Sequence, residues 1–277
     1  MLEPKTLAGA VVLVALWVGE SWLPFYAQFG DDRVGRVRHD SRNLLVGVLN
    51  SAIVSLVFSG LAAIAEVWGS ANGYGLLRVY ELPVWANFLA AIVLFDFWMY
   101  VWHRGNHAIG FLWRFHRVHH ADPYLDATTG VRFHTVEVVL SFFTKIVVMQ
   151  AIGMSIWQLA LYEAVVLPVV LVHHSNVALP RWLDRGLLLL IVTPAMHRVH
   201  HSRLRTETDS NYGSLFPYWD YVLRSLCLRE DVEAVQVGLD DFDADKYQTL
   251  PGMMLRTPSK PGRSSSPRQD QQANERR

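Results

Sequence analysis

The sequence predicts an all-α integral membrane helical bundle, with three spanning helices, a shorter helical hairpin and a cytoplasmic cap rich in histidine. Three observations predict it. Apolar runs of about 17 or more residues recur five times along the chain. Charged residues make up only 18% of the 277, against about a quarter in a soluble domain. Of the twelve histidines, all but His39 fall between His103 and His201, clustered in polar segments that follow the apolar ones.

The charge balance narrows the partners. Lys+Arg and Asp+Glu are equal at 25 each, which gives no basis for a nucleic-acid partner. Cys227 is the single cysteine, so an internal disulfide and a thiolate-rich zinc site are excluded. Any metal must be held by nitrogen or oxygen.

The first apolar run extends from Leu7 to Phe29, interrupted by Glu20. It exceeds the roughly 7–15 residues of a secretory signal core and lacks a small-x-small cleavage site, so it reads as a retained helix. The second, Leu44 to Trp68, and the third, Leu82 to Trp102, each exceed the roughly 20 residues that span a bilayer core. Val136–Ile152 and Ile156–Val172 are separated by Gly-Met-Ser, the pattern of a helical hairpin near the short limit for a span. Folding it at Met154 places Lys145 and Glu163 at one depth, where they should pair rather than be buried alone.

Orientation follows from the short loops. Residues 31–43 carry Arg33, Arg36, Arg38 and Arg42, whereas residues 69–83 carry only Arg78, so the positive-inside rule puts the first loop in the cytoplasm. Counting crossings, His103 and the segment around His197 emerge on that same side, as does the C-terminus. Residues 1–250 then form one membrane-embedded unit. Residues 251–277, rich in Pro, Ser, Gln and Arg, read as a disordered basic tail.

Three clusters carry the chemistry: His103-Arg-Gly-Asn-His107, His116-Arg-Val-His119-His120 and His197-Arg-Val-His200-His201. Spacings of three and four put imidazoles on one helix face, within reach of one ion or of two adjacent ions. An H-x-x-H-H pattern is expected about 0.02 times by chance at this histidine frequency, and it occurs twice. Arg132-Phe-His134 opens the hairpin and His173-His174-Ser-Asn176 closes it, so either end could complete the coordination. Eight to ten imidazoles exceed one tetrahedral zinc and suit two metals with open positions.

Asp96, Tyr100, His103 and His107 form one stripe along the third helix. Asp96 either orients a ligating imidazole or makes a helix–helix hydrogen bond. Tyr100, Glu137, Asn176 and Asn211 are the other candidates to orient the ligands. His39, beside Arg38, receives no function. The competing class is a membrane metal-transport or metal-binding protein without redox chemistry, which calls for ligands along a path inside the bilayer.

At these residues the sequence resembles the membrane fatty acid hydroxylase/sterol desaturase superfamily, with its pattern H-x3-H, H-x2-H-H and a second H-x2-H-H after a helical pair. The match runs from about Asp96 to Asp220 and includes Arg132-Phe-His134, His174-Ser-Asn176, Asn211-Tyr-Gly213 and Trp219-Asp220. The resemblance implies a non-haem di-iron enzyme that uses dioxygen and two external electrons to hydroxylate, desaturate or otherwise oxidise a C–H bond of a lipid. It implies His103, His107, His116, His119, His120, His197, His200 and His201 as iron ligands, with His134 and His174 added and His173 a substitute for His174. The lipid would enter from the bilayer. With no flavin or nicotinamide fingerprint in the chain, electrons would come from a separate donor protein. The aromatic stretch 95–100 reads as helix packing, or else as lining for the substrate's approach.

Overall fold

The computed structural model describes residues 4–255, and among these the regular structure is helical, with two isolated β-bridges. The long elements are α1 (Pro4–Trp22) and α2 (Arg33–Ala71), then, after the single turn α3 (Leu76–Val79), α4 (Val84–Ala108), α5 (Gly110–His120), α6 (Thr135–Ile152) and α7 (Ile156–His174). Four helices are long and apolar enough to cross a membrane: α2, α4, α6 and α7. Where a span was expected from Leu7 to Phe29, α1 stops at Trp22. The chain then pairs with the end of α7, Phe25 N–H donating to the Asn176 carbonyl at 2.7 Å.

Helix α2 starts earlier than its apolar run. Asp32 caps it, accepting from the Gly35 N–H at 2.8 Å, so residues read as a basic loop are helical. Its 39 residues span roughly 58 Å at about 1.5 Å per residue, nearly twice the ~30 Å hydrocarbon core. The arginine-bearing first turns therefore project beyond the apolar layer, toward the same end of the bundle as the histidines.

Helix α1 packs along α7, α2 along α6, and α4 against both α6 and α7. Phe95, Ala91, Met149, Met154 and Tyr162 form the core between them. Gly153, at φ +84°, closes α6, and Ser155 opens α7 in a capping box with Gln158. Gly75 (φ +124°) rests on this turn so closely that a Cβ would lie 2.4 Å from the Gly153 Cα. Lys145 and Glu163 pair across the hairpin at 3.6 Å, as its fold at Met154 predicts. The outward faces stay apolar, Leu56 of α2 being 85% exposed. Such a face is stable in lipid rather than water.

The cap is built from α5, the 3-10 turn 127–131, α8 (Arg181–Leu187), α9 (Pro194–His200), α10 (Arg205–Thr208) and α11 (Tyr218–Val222). The C-terminal segment returns over it through α12 (Asp245–Gln248) and α13 (Leu250–Leu255). Met253, 1% exposed, packs with Val46 and Val118. The expected tail boundary at residue 250 thus falls inside a docked helix; residues 256–277 lie outside the described residues.

Candidate metal centre

Four helices deliver the histidines to one place: α4 carries His103 and His107, α5 His116, His119 and His120, α7 His173 and His174, and α9 His197 and His200, with His201 capping its end. One ring nitrogen each of His103, His107, His116, His120 and His200 lie within 4.8 Å of one another, and the same holds for His119, His174, His197 and His201. The helical repeat explains the sorting. At about 100° per residue, positions i and i+4 lie about 40° apart, while i+3 and i+4 lie about 100° apart on opposite flanks. So His116 and His120 join the first group while His119 turns to the second, and His197 and His201 join the second while His200 turns to the first. The two groups abut, the His120 ring stacking on His201 at 4.5 Å.

In most of these rings Nδ1 is held from behind. It donates to the Tyr212 carbonyl from His103 at 2.9 Å, to Ser210 from His200 at 2.6 Å, to Val170 from His174 at 2.7 Å, and to Arg132 from His119 at 3.3 Å. His116 Nδ1 donates to Glu137 Oε1 at 2.7 Å. His107 Nδ1 lies 3.4 Å from Asp209 Oδ1. A proton fixed on Nδ1 leaves the Nε2 lone pair free as a ligand.

The Nε2 atoms converge. They lie 3.2 Å apart for His116 and His120, 3.0 Å for His119 and His174, 3.0 Å for His174 and His197, and 3.1 Å for His197 and His201. Nitrogens at about 2.1 Å from one ion are this far apart at ligand angles of roughly 90–100°. The Nε2 atoms of His103 and His200 are buried without a hydrogen-bond partner. Burial, then the surrounding imidazoles, push the pKa values of His119, His120, His197, His200 and His201 well below the ordinary histidine range. In His119 and His174, whose Nδ1 atoms donate to carbonyls, two Nε2 lone pairs face each other at 3.0 Å, an arrangement that a cation between them would satisfy. The donor set fits two first-row metal ions, one per group.

His134 goes elsewhere. It caps α6, Nδ1 accepting from the Val136 N–H at 3.1 Å, and its Nε2 donates to the Met254 carbonyl at 3.0 Å. With both nitrogens engaged it joins neither group. His174, not His173, supplies the nitrogen from the end of α7; His173 lies beside it, 1% exposed, its ring 4.0 Å from that of His197.

Among the residues expected to orient ligands, Glu137 contacts an imidazole directly. Asp96 instead accepts from Tyr162 Oη at 2.7 Å and Trp219 Nε1 at 2.7 Å, joining α4 to α7 and α11. Tyr100 bonds to Ser225 Oγ at 2.7 Å. Asn176 bonds to the Tyr26 backbone through both side-chain atoms, at 2.9 Å each. Asn211, in the left-handed region at φ 55°, donates to the Met196 carbonyl at 2.9 Å and so holds the helix that carries the third cluster. Within the aromatic stretch, Phe95 is core, edge-on to Tyr162 at 5.2 Å, and Phe97 packs on Trp219 at 4.9 Å.

The sequence reading missed His39. It is buried, with Nε2 2.8 Å from Asp122 Oδ1 and Nδ1 3.1 Å from Asp40 Oδ1. Its one signal was position: a helix starting at Arg33 turns His39, Asp40 and Asn43 to one side. A cleft of about 190 Å³ also opens beside the first group, with His107 and Trp113 on one wall and Arg117, Arg203 and Asp209 on others.

Residues 88–225 match the family model described as fatty acid hydroxylase. The chain is 29% identical over 143 residues to an ornithine lipid hydroxylase of Rhizobium tropici, covering 52% of this chain and 42% of that protein. It is 29% identical over 191 residues to the alkylglycerol monooxygenase of Caenorhabditis elegans, covering 62% and 35%. A very-long-chain aldehyde decarbonylase of Oryza sativa subsp. japonica is 29% identical over 170 residues, covering 56% and 26%. The chain spans less than half the length of these curated relatives. No solved structure matches it. The family match contains every histidine of both groups.

Proposed function

From the premise that the chain belongs to the membrane fatty acid hydroxylase superfamily, we propose that it is a membrane-bound di-iron oxygenase acting on a lipid. The overall conversion takes dioxygen, two external electrons and two protons, and leaves a hydroxylated lipid plus water, or a desaturated lipid plus two waters. The observation that carries this reading is the pair of adjoining imidazole groups, nine buried or half-buried rings with converging nitrogens at one end of an apolar bundle.

Two bound irons would supply the reduction of dioxygen and the removal of hydrogen from a substrate carbon. His103, His107, His116, His120 and His200 would hold one, and His119, His174, His197 and His201 the other. All nine donors would be imidazoles, and Glu137 would act one step back, accepting a hydrogen bond from His116 Nδ1 at 2.7 Å and so orienting that ring. The backbone carbonyls behind His103, His174 and His200 keep those rings in one tautomer and one orientation.

The substrate class follows from the setting. The groups sit where α4 and α7 end, so an acyl or alkyl chain lying in the bilayer can present a carbon to them while its polar end stays at the interface. The arginine-bearing start of α2 lies at the same end, which, read with the positive-inside rule, supports a cytoplasmic position for the histidines and the cap. There a separate electron-donor protein can approach, and the cleft beside His107, with Arg117, Arg203 and Asp209 on its walls, offers it a route toward the first group. Transport is disfavoured because the ligands are gathered at one end rather than strung across the bundle.

The test is a comparison of lipid extracts from cells with and without the protein, by untargeted mass spectrometry. Lipids that gain one oxygen or lose two hydrogens only when the protein is present support the reading. Unchanged lipids, with metal flux in protein-loaded liposomes, overturn it.

A further inference from the structure

His39 lies outside the family match and outside both imidazole groups, yet its surroundings tie it to them. It projects from the first turns of α2 into the segment that joins the second histidine cluster to α6. Its Nε2 lies 2.8 Å and 3.0 Å from the two oxygens of Asp122, and its Nδ1 lies 3.1 Å from Asp40 and 3.2 Å from Asp126. Both ring nitrogens thus face carboxylates; the Asn43 amide nitrogen, 3.2 Å from Nε2, spends its two protons on Asp122 and Thr128 at 3.0 Å each. A neutral imidazole has one N–H and would turn its other lone pair onto a carboxylate oxygen; only the doubly protonated ring donates on both sides.

The charge count agrees. Glu20, Asp40, Asp122 and Asp126 are all buried here, and two arginines face them: Arg36, 3.3 Å from Glu20 and 3.7 Å from Asp40, and Arg132, 3.7 Å from Asp122. A positive His39 adds a third cation facing these acids, placed directly between Asp122 and Asp126. A divalent metal among these acids is not needed, since the ring nitrogens and carboxylates already satisfy one another.

The segment held this way orients a ligand. Asp122 follows His120 by two residues. Asp126 caps the 3-10 turn, accepting from the Thr128 N–H at 2.8 Å. The turn ends at Arg132, whose carbonyl accepts from His119 Nδ1 at 3.3 Å while its buried guanidinium donates to the Val118 carbonyl and to Asn43 on α2. Asn43 in turn donates to Asp122 at 3.0 Å. One loop therefore runs from His120 around His39 and back to His119.

We propose that His39 is a positioning residue of the metal site, a buried imidazolium on α2 that gathers the acids of segment 120–132 and thereby fixes His119 toward the second group. This rests on the reading of the imidazole groups as a two-metal site.

The experiment uses the full chain in phospholipid nanodiscs, with Fe(II) and Co(II) as probes. Metal per chain, affinity by chelator competition and the Co(II) ligand-field spectrum are read for the unsubstituted chain and for His39→Gln, Asp122→Asn and the double variant. We expect His39→Gln to keep its helical circular dichroism, lose tenfold or more in affinity for one of two metals, and shift the Co(II) bands. Adding Asp122→Asn should recover part of that loss, because it removes the buried charge that His39 no longer faces. Two metals held by His39→Gln with unchanged affinity and spectrum overturn the proposal, as do losses that simply multiply in the double variant. If His39→Gln does not fold, a double variant that folds supports the proposal and one that does not overturns it. Failure of the unsubstituted chain to bind two metals overturns the two-metal reading itself and is distinguishable from these outcomes.

Discussion

His119 and His174 meet Nε2 to Nε2 at 3.0 Å, although 55 residues and the whole α6–α7 hairpin separate them. His119 is steered there by the Arg132 carbonyl and His174 by that of Val170. The hairpin is therefore part of the site, because its return brings a second-group ligand back to the cap. Replacing either imidazole should remove one of the four donors of that group and leave the five of the other. We expect His174→Ala to bind close to one metal per chain instead of two, with oxidation of lipid reduced more than about a hundredfold. Elemental analysis of the purified variant, set beside its activity, checks both parts.

His134 gives the contrasting case. Its side chain caps α6 and reaches the Met254 carbonyl, so His134→Ala should cost about 1 kcal/mol of stability, as loss of a helix cap does, and keep the full metal complement. Thermal unfolding and metal content of this variant measure the two effects separately. Loss of a metal would return His134 to the ligand set.

Glu137 accepts the His116 proton at 2.7 Å, and Asn106 lies behind it at 3.4 Å. Glu137→Gln keeps the shape but exchanges a charged acceptor for a neutral one, which weakens the pull on the imidazole. A 10–100-fold fall in affinity for one metal is expected, on the order seen when a ligand's supporting carboxylate is removed, readable by competition with a chelator. An unchanged affinity would show that Glu137 serves only packing.

Asp96 tests the other outcome. It holds Tyr162 and Trp219 across three helices and touches no imidazole. Asp96→Ala leaves a buried hydroxyl and a buried indole N–H without their acceptor, at about 1–3 kcal/mol each. The variant should unfold at lower temperature while binding metal in the same ratio as the unsubstituted chain. Metal loss without destabilisation would contradict this assignment.

The cap histidines set a pH dependence. Burial and neighbouring imidazoles lower the pKa values of His119, His120, His197, His200 and His201, so the folded chain binds fewer protons than the unfolded chain below about pH 6.5. The stabilisation is present above that unfolded-state value and is lost as pH falls through it. The chelator-treated protein should accordingly melt at progressively lower temperature from about pH 7 to pH 5, and bound metal should move the decline to lower pH. Equal melting temperatures across this range, metal-free, would contradict the burial of neutral rings.

Much of this was legible in the sequence because it lay in side-chain type and spacing. The His-x-x-His-His repeats, the hairpin with its Lys145–Glu163 pair and the helix bundle are all local or periodic signals. The division of each cluster between two groups is also implicit in the helical angle, though it needs the helix axes to become definite. What orients the imidazoles was not legible: the carbonyls of Tyr212, Ser210, Val170 and Arg132 belong to the backbone, which every residue type shares. His39 was obscure for another reason. Its partner Asp122 is 83 residues away, and an arginine-rich stretch at a membrane edge reads as solvated until the helix is seen to begin at Arg33. Asp96 remained between two roles because sequence gives its depth and not its neighbours.

Iron K-edge X-ray absorption on the iron-loaded, full-length protein, with iron and protein quantified on the same sample, tests the central claim most directly. We expect two irons per chain, surrounded by nitrogen and oxygen with the outer-shell scattering of imidazole. A single iron per chain, or sulfur among its nearest neighbours, would contradict the paired histidine site.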